Sequence, residues 1–187
     1  MSFVRPPLAT HRHPVGAFLM AALGATPLAW AEPAVTPRAH DPSSVFIIAK
    51  SQNKNQVHYG VRVDEACNVV GARPVYGYWR MLERSGEIEP ILSQEVPAYG
   101  VDPVQRIERD TTTTTIRTRL NAALDRELVV TVQRVAGRCE AEARTSIGGV
   151  VARLRWVYVR FAWPFGVDYV LLHGSRASDG ATVEERL

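Results

Sequence analysis

Beyond residue 31, the side chains able to do chemistry are few and scattered. They are His40, His58 and His173, Cys67 and Cys139, a polar run over 50–55, and a group of aromatic residues between 76 and 99. A zinc site takes three or four ligands at suitable spacing, and neither an HExxH nor a CxxC pattern occurs. His58 and His173 would need Asp64 or Asp168 as companions, and nothing in the spacing joins them. Ser175 follows His173 and Gly174 but lacks the GxSxG frame that exposes a nucleophile on a strained turn. Ser51 has no base beside it. The carboxylate pairs Glu87/Glu89 and Asp64/Glu65 fall in turn-like segments that keep them solvated. No glycine-rich phosphate loop is present. The expectation is no catalytic residue, no metal and no cofactor.

Binding chemistry is better represented. Lys50 and Lys54 flank an amide-rich run holding Ser51, Asn53 and Asn55. Asparagine favours turns because its amide bonds nearby backbone and it tolerates positive φ. The run therefore reads as a turn capping its own backbone, or as a polar loop gripping a glycan or anionic group. Tyr76, Tyr78, Trp79 and Tyr99 follow. Alternation over 75–83 puts Trp79 on the face of Val75, Gly77 and Met81, hence inward. Tyr76 and Tyr78 share the other face with Arg80, where they could stack on a sugar ring or a lipid. The candidate binding set is Lys50, Asn53, Asn55, Tyr76, Tyr78 and Tyr99.

The N-terminus bears on where such a site would work. Arg5, His11, Arg12 and His13 precede a 14-residue apolar stretch over 15–28, and Ala29 and Ala31 flank Trp30. This pattern predicts a secretory signal peptide over 1–31, cleaved before Glu32. The apolar stretch is interrupted by Gly24 and Pro27 and is short of the ~20 residues that span a bilayer. No transmembrane segment is expected after cleavage, and the protein is expected to be exported, periplasmic or secreted. Two cysteines in an exported chain predict one disulfide, Cys67–Cys139. Losing Arg5 and Arg12 leaves 20 basic against 19 acidic residues. That balance is not the clustered basic footprint of a nucleic-acid binder.

The elements that must position these residues read as strands. Residues 32–43 are polar with three prolines and read as a flexible leader, and 44–187 has the length of a single β-rich domain. From residue 44 onward apolar residues recur with period two. Val57, Tyr59, Val61 and Val63 alternate with polar neighbours, as do Leu128, Val130 and Val132. Gly148 and Gly149 mark a two-residue hairpin turn. It sets Ala143 opposite Leu154, Ala141 opposite Trp156, Glu142 opposite Arg155 and Arg144 opposite Arg153. A second turn at Ala136 and Gly137 sets Val132 opposite Ala141 and Val130 opposite Ala143. Strands are expected over 45–50, 56–63, 75–83, 103–109, 112–120, 127–135, 138–147, 150–163 and 167–173. Only 87–96 could form a short helix. Val157, Val159, Phe161 and Trp163 reverse the phase of Leu154 and Trp156, which predicts a bulge or bend near Trp156. The fold class is all-β: a single antiparallel meander of about nine strands, closed as a barrel or folded as a sandwich.

One segment also carries a resemblance. Val45, Phe46, Ile47 and Ile48 lead into the spaced set Ser51, Asn53, Asn55, Val57 and Tyr59. Pro74, Tyr78, Trp79, Gly86 and Pro90 follow, and Ala98, Tyr99 and Gly100 close the block. A weaker echo lies in Tyr169, Val170, Leu172, Gly174, Glu184 and Glu185. This pattern resembles the bacterial domain-of-unknown-function family numbered 4833. The resemblance implies a small exported or envelope-associated bacterial domain and implies no reaction or ligand. The two cysteines stand outside the pattern.

These readings favour a non-enzymatic binding module for a small molecule or envelope component. A barrel of eight or more strands can hold one small apolar or glycan-like ligand, as lipocalin-like proteins do. The alternatives are an envelope protein that recruits a protein partner through a free strand edge, or an enzyme acting on cell-wall or glycan material. The enzyme would need Asn53, Asn55, Tyr99 and His58 to converge.

Overall fold

A computed structural model describes residues 44–163 and 166–187. The expected signal peptide over 1–31 and leader over 32–43 lie outside the described residues. The chain is all-β. Its strands are β1 (Phe46–Lys50), β2 (Gln56–Val61), β3 (Val75–Met81), β4 (Glu87–Pro90), β5 (Arg106–Arg109), β6 (Thr113–Leu120), β7 (Ala123–Val135), β8 (Arg138–Ile147), β9 (Val150–Phe161), β10 (Val167–Arg176) and β11 (Thr182–Arg186). One helical turn, α1 (Val96–Tyr99), and a short 3-10 turn at Leu82–Arg84 complete them.

The nine expected strands are all present, and two more join them. Glu87–Pro90 forms β4, not the start of a helix. Its proline is tolerated because β4 is an edge strand, where an absent N–H breaks no ladder. The helical turn falls later, with Pro97 inside its first turn, where a missing N–H costs nothing. β11 lies beyond the last expected strand and pairs with β10.

The Ala136–Gly137 turn holds the expected register throughout. The Gly148–Gly149 turn holds it only as far as Arg144 opposite Arg153. The ladder does not reach the expected pairs Ala143–Leu154, Glu142–Arg155 and Ala141–Trp156, because β9 there turns to β1. Gly148 and Gly149 take φ of 59° and 78°, a conformation that side-chain-bearing residues disfavour. They set Arg144 opposite Arg153, and Glu142 bridges both arginines. Val132 lies opposite Ala141 and Val130 opposite Ala143. Ala143, Ile147, Ala152 and Leu154 are all buried.

The sheet is not closed into a barrel, and it is not a pure meander. It runs β4-β3-β2-β1-β9-β8-β7-β6-β5, with β10 and β11 branching from β9. β9 is the pivot. Along one edge it pairs with β10 from Ala152 to Phe161. Along the other it pairs with β8 over Val150 to Arg153, then with β1 over Trp156 to Val159. The β1–β9 pairing is parallel. Two arms therefore diverge from one strand, β1–β4 and β5–β8.

The expected bend explains the fork. Leu154 and Val157 are both buried, with two residues between them where strict alternation allows one. The extra residue turns Trp156 to the outer face, so Trp156 faces neither Ala141 nor the core, contrary to the simple hairpin extension. At the same level β10 also slips, between His173 and Gly174. A Cβ on Gly174 would lie 2.4 Å from the Arg153 carbonyl oxygen, so only glycine admits the close approach of β10 to β9.

The inner faces of the two arms share one core. Phe46, Ile48, Val57, Tyr59 and Trp79 come from the first arm, and Ile116, Leu128, Val130 and Val132 from the second. Where no ladder joins the arms, side chains do. The Gln105 amide accepts from Val75 N and donates to Val75 O, both at 3.0 Å, as a neighbouring strand would. The Cys67–Cys139 disulfide ties the β2–β3 connection to β8. Among the described residues no helix is long and apolar enough to cross a membrane.

Candidate functional site

The six candidate binding residues do not form one site. Alternation divides them between the two faces of the first arm.

Lys50, Asn53 and Asn55 line a notch of about 170 Å³ with Trp79, Met81, Glu89 and Glu95. The Lys50 ammonium lies 4.4 Å from the Trp79 ring centroid, a cation–π contact. Burial lowers the Lys50 pKa, and the carboxylates of Glu95 and Glu83 partly oppose that shift. Glu95 accepts from Trp79 Nε1 and from Leu92 N, both at 2.9 Å. Asn53 accepts from Asn55 N at 3.1 Å, and Asn55 accepts from Glu83 N at 3.2 Å. Ser51 Oγ accepts from Phe161 N at 3.0 Å and so continues the β1–β9 junction. The polar loop thus spends these oxygens on its own turn and on neighbouring backbone.

Tyr99 sits at the hinge between the notch and the core. Its ring meets Trp79 edge-on at 5.0 Å, and its carbonyl accepts from the buried Tyr59 hydroxyl at 2.8 Å. Burial, and then the charge of Glu95, raise the Tyr99 pKa. Tyr99 also lines a cavity of about 140 Å³ between the arms. Ile48, Leu128, Leu154, Val157 and Leu172 form its walls, and Leu187 lies at its side. Leu187 is held by paired backbone bonds with Val170, at 2.8 and 3.1 Å.

The charged group beside this cavity is Arg126. Its guanidinium grips Glu185 through two bonds of 2.7 and 3.1 Å. Glu185 also accepts from Gly148 N at 3.0 Å. These bonds hold the Glu185 carboxyl below the ordinary glutamate range, the Arg126 bond first. They pin β11 to the β8–β9 turn.

Tyr76 and Tyr78 lie on the opposite face, as alternation predicts. Tyr78 stacks at 5.6 Å on His58, and Tyr76 lies 6.0 Å from Tyr78. His58 Nδ1 is 2.7 Å from Ser44 Oγ. His58 is thereby on the other side of the sheet from Tyr59 and Tyr99, so it does not converge with Asn53, Asn55 and Tyr99. His58 and His173 share one cross-strand row but are three strand spacings apart, roughly 14 Å. Among the described residues no three His, Cys, Asp or Glu side chains come together as metal ligands.

Sequence reasoning missed two features. The inter-arm cavity has no local signature, because its walls come from β1, β7, β9 and β10. Trp156 and His173 stack at 4.5 Å on the outer face. Their period-two positions signal a pair only once the bulge near Trp156 is placed.

A forked all-β sheet with an apolar inter-arm cavity defines the class of this domain. Residues 46–186 match the family described as Domain of unknown function (DUF4833), and the chain belongs to that family. The match includes the middle of the chain, where the residue pattern by itself showed only length and strand character. No curated protein and no solved structure matches the chain.

Proposed function

We propose that this protein is an exported, non-enzymatic binding module, periplasmic or secreted, holding a small apolar molecule between the arms of its sheet. The observation that carries the reading is the cavity of about 140 Å³ walled by Ile48, Leu128, Leu154, Val157 and Leu172. A dry apolar cavity of about 150 Å³ is large enough for a benzene-sized guest. The ligand would therefore be a single ring or a short alkyl group, or the terminal part of a larger molecule. Export is supported by the signal-like pattern over 1–31, and by a disulfide of the kind that persists in oxidising compartments.

The alternatives have less behind them. Edge-strand recruitment of an envelope partner favours long, flat, apolar edges. Here β4, β5 and β11 are short and charged, and β4 ends on a proline. An enzyme acting on cell-wall or glycan material would need a dispersed site, and His58 faces away from Tyr99.

Thermal unfolding of the mature protein with toluene or hexane tests the reading. A ligand that binds only the folded state raises Tm with its concentration. The expected result is such a rise, lost in Ala123→Leu, which fills the cavity from β7 while the fold is retained. No rise with either probe, or an equal rise in Ala123→Leu, would overturn it. Native mass spectrometry of protein from its own host would then show whether a guest is carried.

A further inference from the structure

The face of the sheet turned away from the core carries a second candidate site. Directly opposed residues form one row across six strands: Tyr78, His58, Ile47, Trp156, His173 and Glu184. Tyr158 and Arg186 lie in the next row, on β9 and β11, and Tyr169 stands diagonal to Tyr158 at 6.3 Å. The outer face of an antiparallel sheet is ordinarily polar. Here Tyr76, Tyr78, Trp156, Tyr158, Tyr169 and His173 stand on it half-buried.

A cation stacks on a ring at each end of this aromatic band, and Arg80 on β3 and Arg160 on β9 share its face by alternation. The Arg62 guanidinium lies 4.7 Å over Tyr76, and the Arg186 guanidinium lies 3.9 Å over Tyr169. Both arginines are exposed. A guanidinium stacked on a ring can still turn N–H groups to a carboxylate; Arg62 spends one of its own on the Arg73 carbonyl at 2.9 Å. Glu184 is the acid in the central row, and His173 Nδ1 meets it at 2.9 Å.

We propose that this face binds an acidic polysaccharide. Its sugar rings would stack on Tyr78, Trp156 and Tyr158, and its carboxylates would pair with Arg62 and Arg186. Stacking needs flat rings spaced along a surface. Trp156 and Tyr158 stand two residues apart on β9 with Tyr169 beside them on β10. Tyr78 stands three strand spacings from Trp156, across the buried His58 and Ile47. Single-stranded nucleic acid fits less well. It carries one phosphate per base and selects a continuous cationic track, whereas these stacked cations lie at the ends of the band. The face is opposite the inter-arm cavity, so this proposal stands whether or not the cavity takes a ligand.

Affinity electrophoresis of the mature protein in native gels tests it, with polygalacturonate, dextran, dextran sulfate or single-stranded DNA cast into the gel. The expected result is retardation by polygalacturonate, weakened at least about threefold in Arg186→Gln and about tenfold in Trp156→Ala with Tyr158→Ala. Circular dichroism checks that the aromatic variant folds, and Arg186→Gln on the exposed C-terminal strand stands as the variant least able to disturb folding. No retardation by polygalacturonate overturns the proposal, as does equal retardation of the native protein and Arg186→Gln. Equal retardation by every polyanion would reduce it to charge alone, and stronger retardation by DNA would replace the ligand class. A concentration-dependent dimer that Arg186→Gln dissolves would show that the face binds a second copy instead.

Discussion

The indole of Trp156 and the imidazole of His173 stack 4.5 Å apart and 11° from parallel, at directly opposed positions on β9 and β10. The pair exists because of the irregularity beside it. β9 exchanges β8 for β1 along one edge at this level, and its bulge turns Trp156 outward while Leu154 and Val157 both stay in the core. The imidazole then bridges from the indole to Glu184 on β11. One cross-strand contact thus joins the pivot strand to the sheet's C-terminal edge.

A double-mutant cycle of Trp156→Ala and His173→Ala should give a coupling of about 1 kcal/mol, the scale of stacked ring pairs. Urea unfolding measures it. Additive losses would mean that the two rings merely neighbour one another.

The disulfide should matter more than any single side-chain contact. It joins the two arms across 72 residues of chain. Closing a loop of that length removes denatured-state entropy worth about 4 kcal/mol in the chain-entropy description. Replacing Cys67 and Cys139 by serine should lower the unfolding free energy by that order. Intact mass of the denatured, non-reduced protein should show no alkylation of either thiol.

The β7–β8–β9 register makes an asymmetric prediction. Ala143 is fully buried opposite Val130, whereas Glu142 lies on the outer face against Arg144 and Arg153. Ala143→Arg forces an unpaired charge into the core and should cost several kcal/mol, on the order of 3 or more. Glu142→Arg should cost about 1 kcal/mol or less, by like-charge contact. Equal losses in thermal denaturation would contradict the register.

Glu185 should make β11 acid-sensitive. Its folded pKa lies below its unfolded value because Arg126 and Gly148 N bond the carboxylate. The stabilisation is complete above the ordinary glutamate range and is lost as pH falls through the lowered folded value. Glu185→Gln should therefore lower Tm at about pH 7, and that difference should shrink as pH falls through the lowered folded value, where the carboxyl becomes as uncharged as the amide. A Tm difference that persists in acid would assign the role of Glu185 to shape, not charge.

Several of these features are legible in the amino-acid sequence alone. Period-two alternation places β2 and β3, and the turn glycines set the register of β7 with β8 and of β8 with the first residues of β9, because both signals are local. Tyr76 and Tyr78 fall on the outer face for the same reason. The segment over 87–96 misleads, since an edge strand ending on proline and the first turn of a helix share the same tolerance for a missing N–H. The polar loop has the composition of a ligand grip, yet its oxygens serve Asn55, Glu83 and Phe161 backbone groups.

The sequence by itself determined the all-β class, the two hairpins, the cysteine pair and the family pattern. Each follows from residue type and short spacing. Only the tertiary structure decided the fork at β9, the parallel pairing of Ile48 with Val157, the inter-arm cavity and the aromatic row from Tyr78 to Glu184. Strand neighbours are chosen by which apolar faces can bury each other, and that choice is made between segments far apart in the chain. Alternation says that a strand has an inner and an outer face; it does not say which strand will lie beside it.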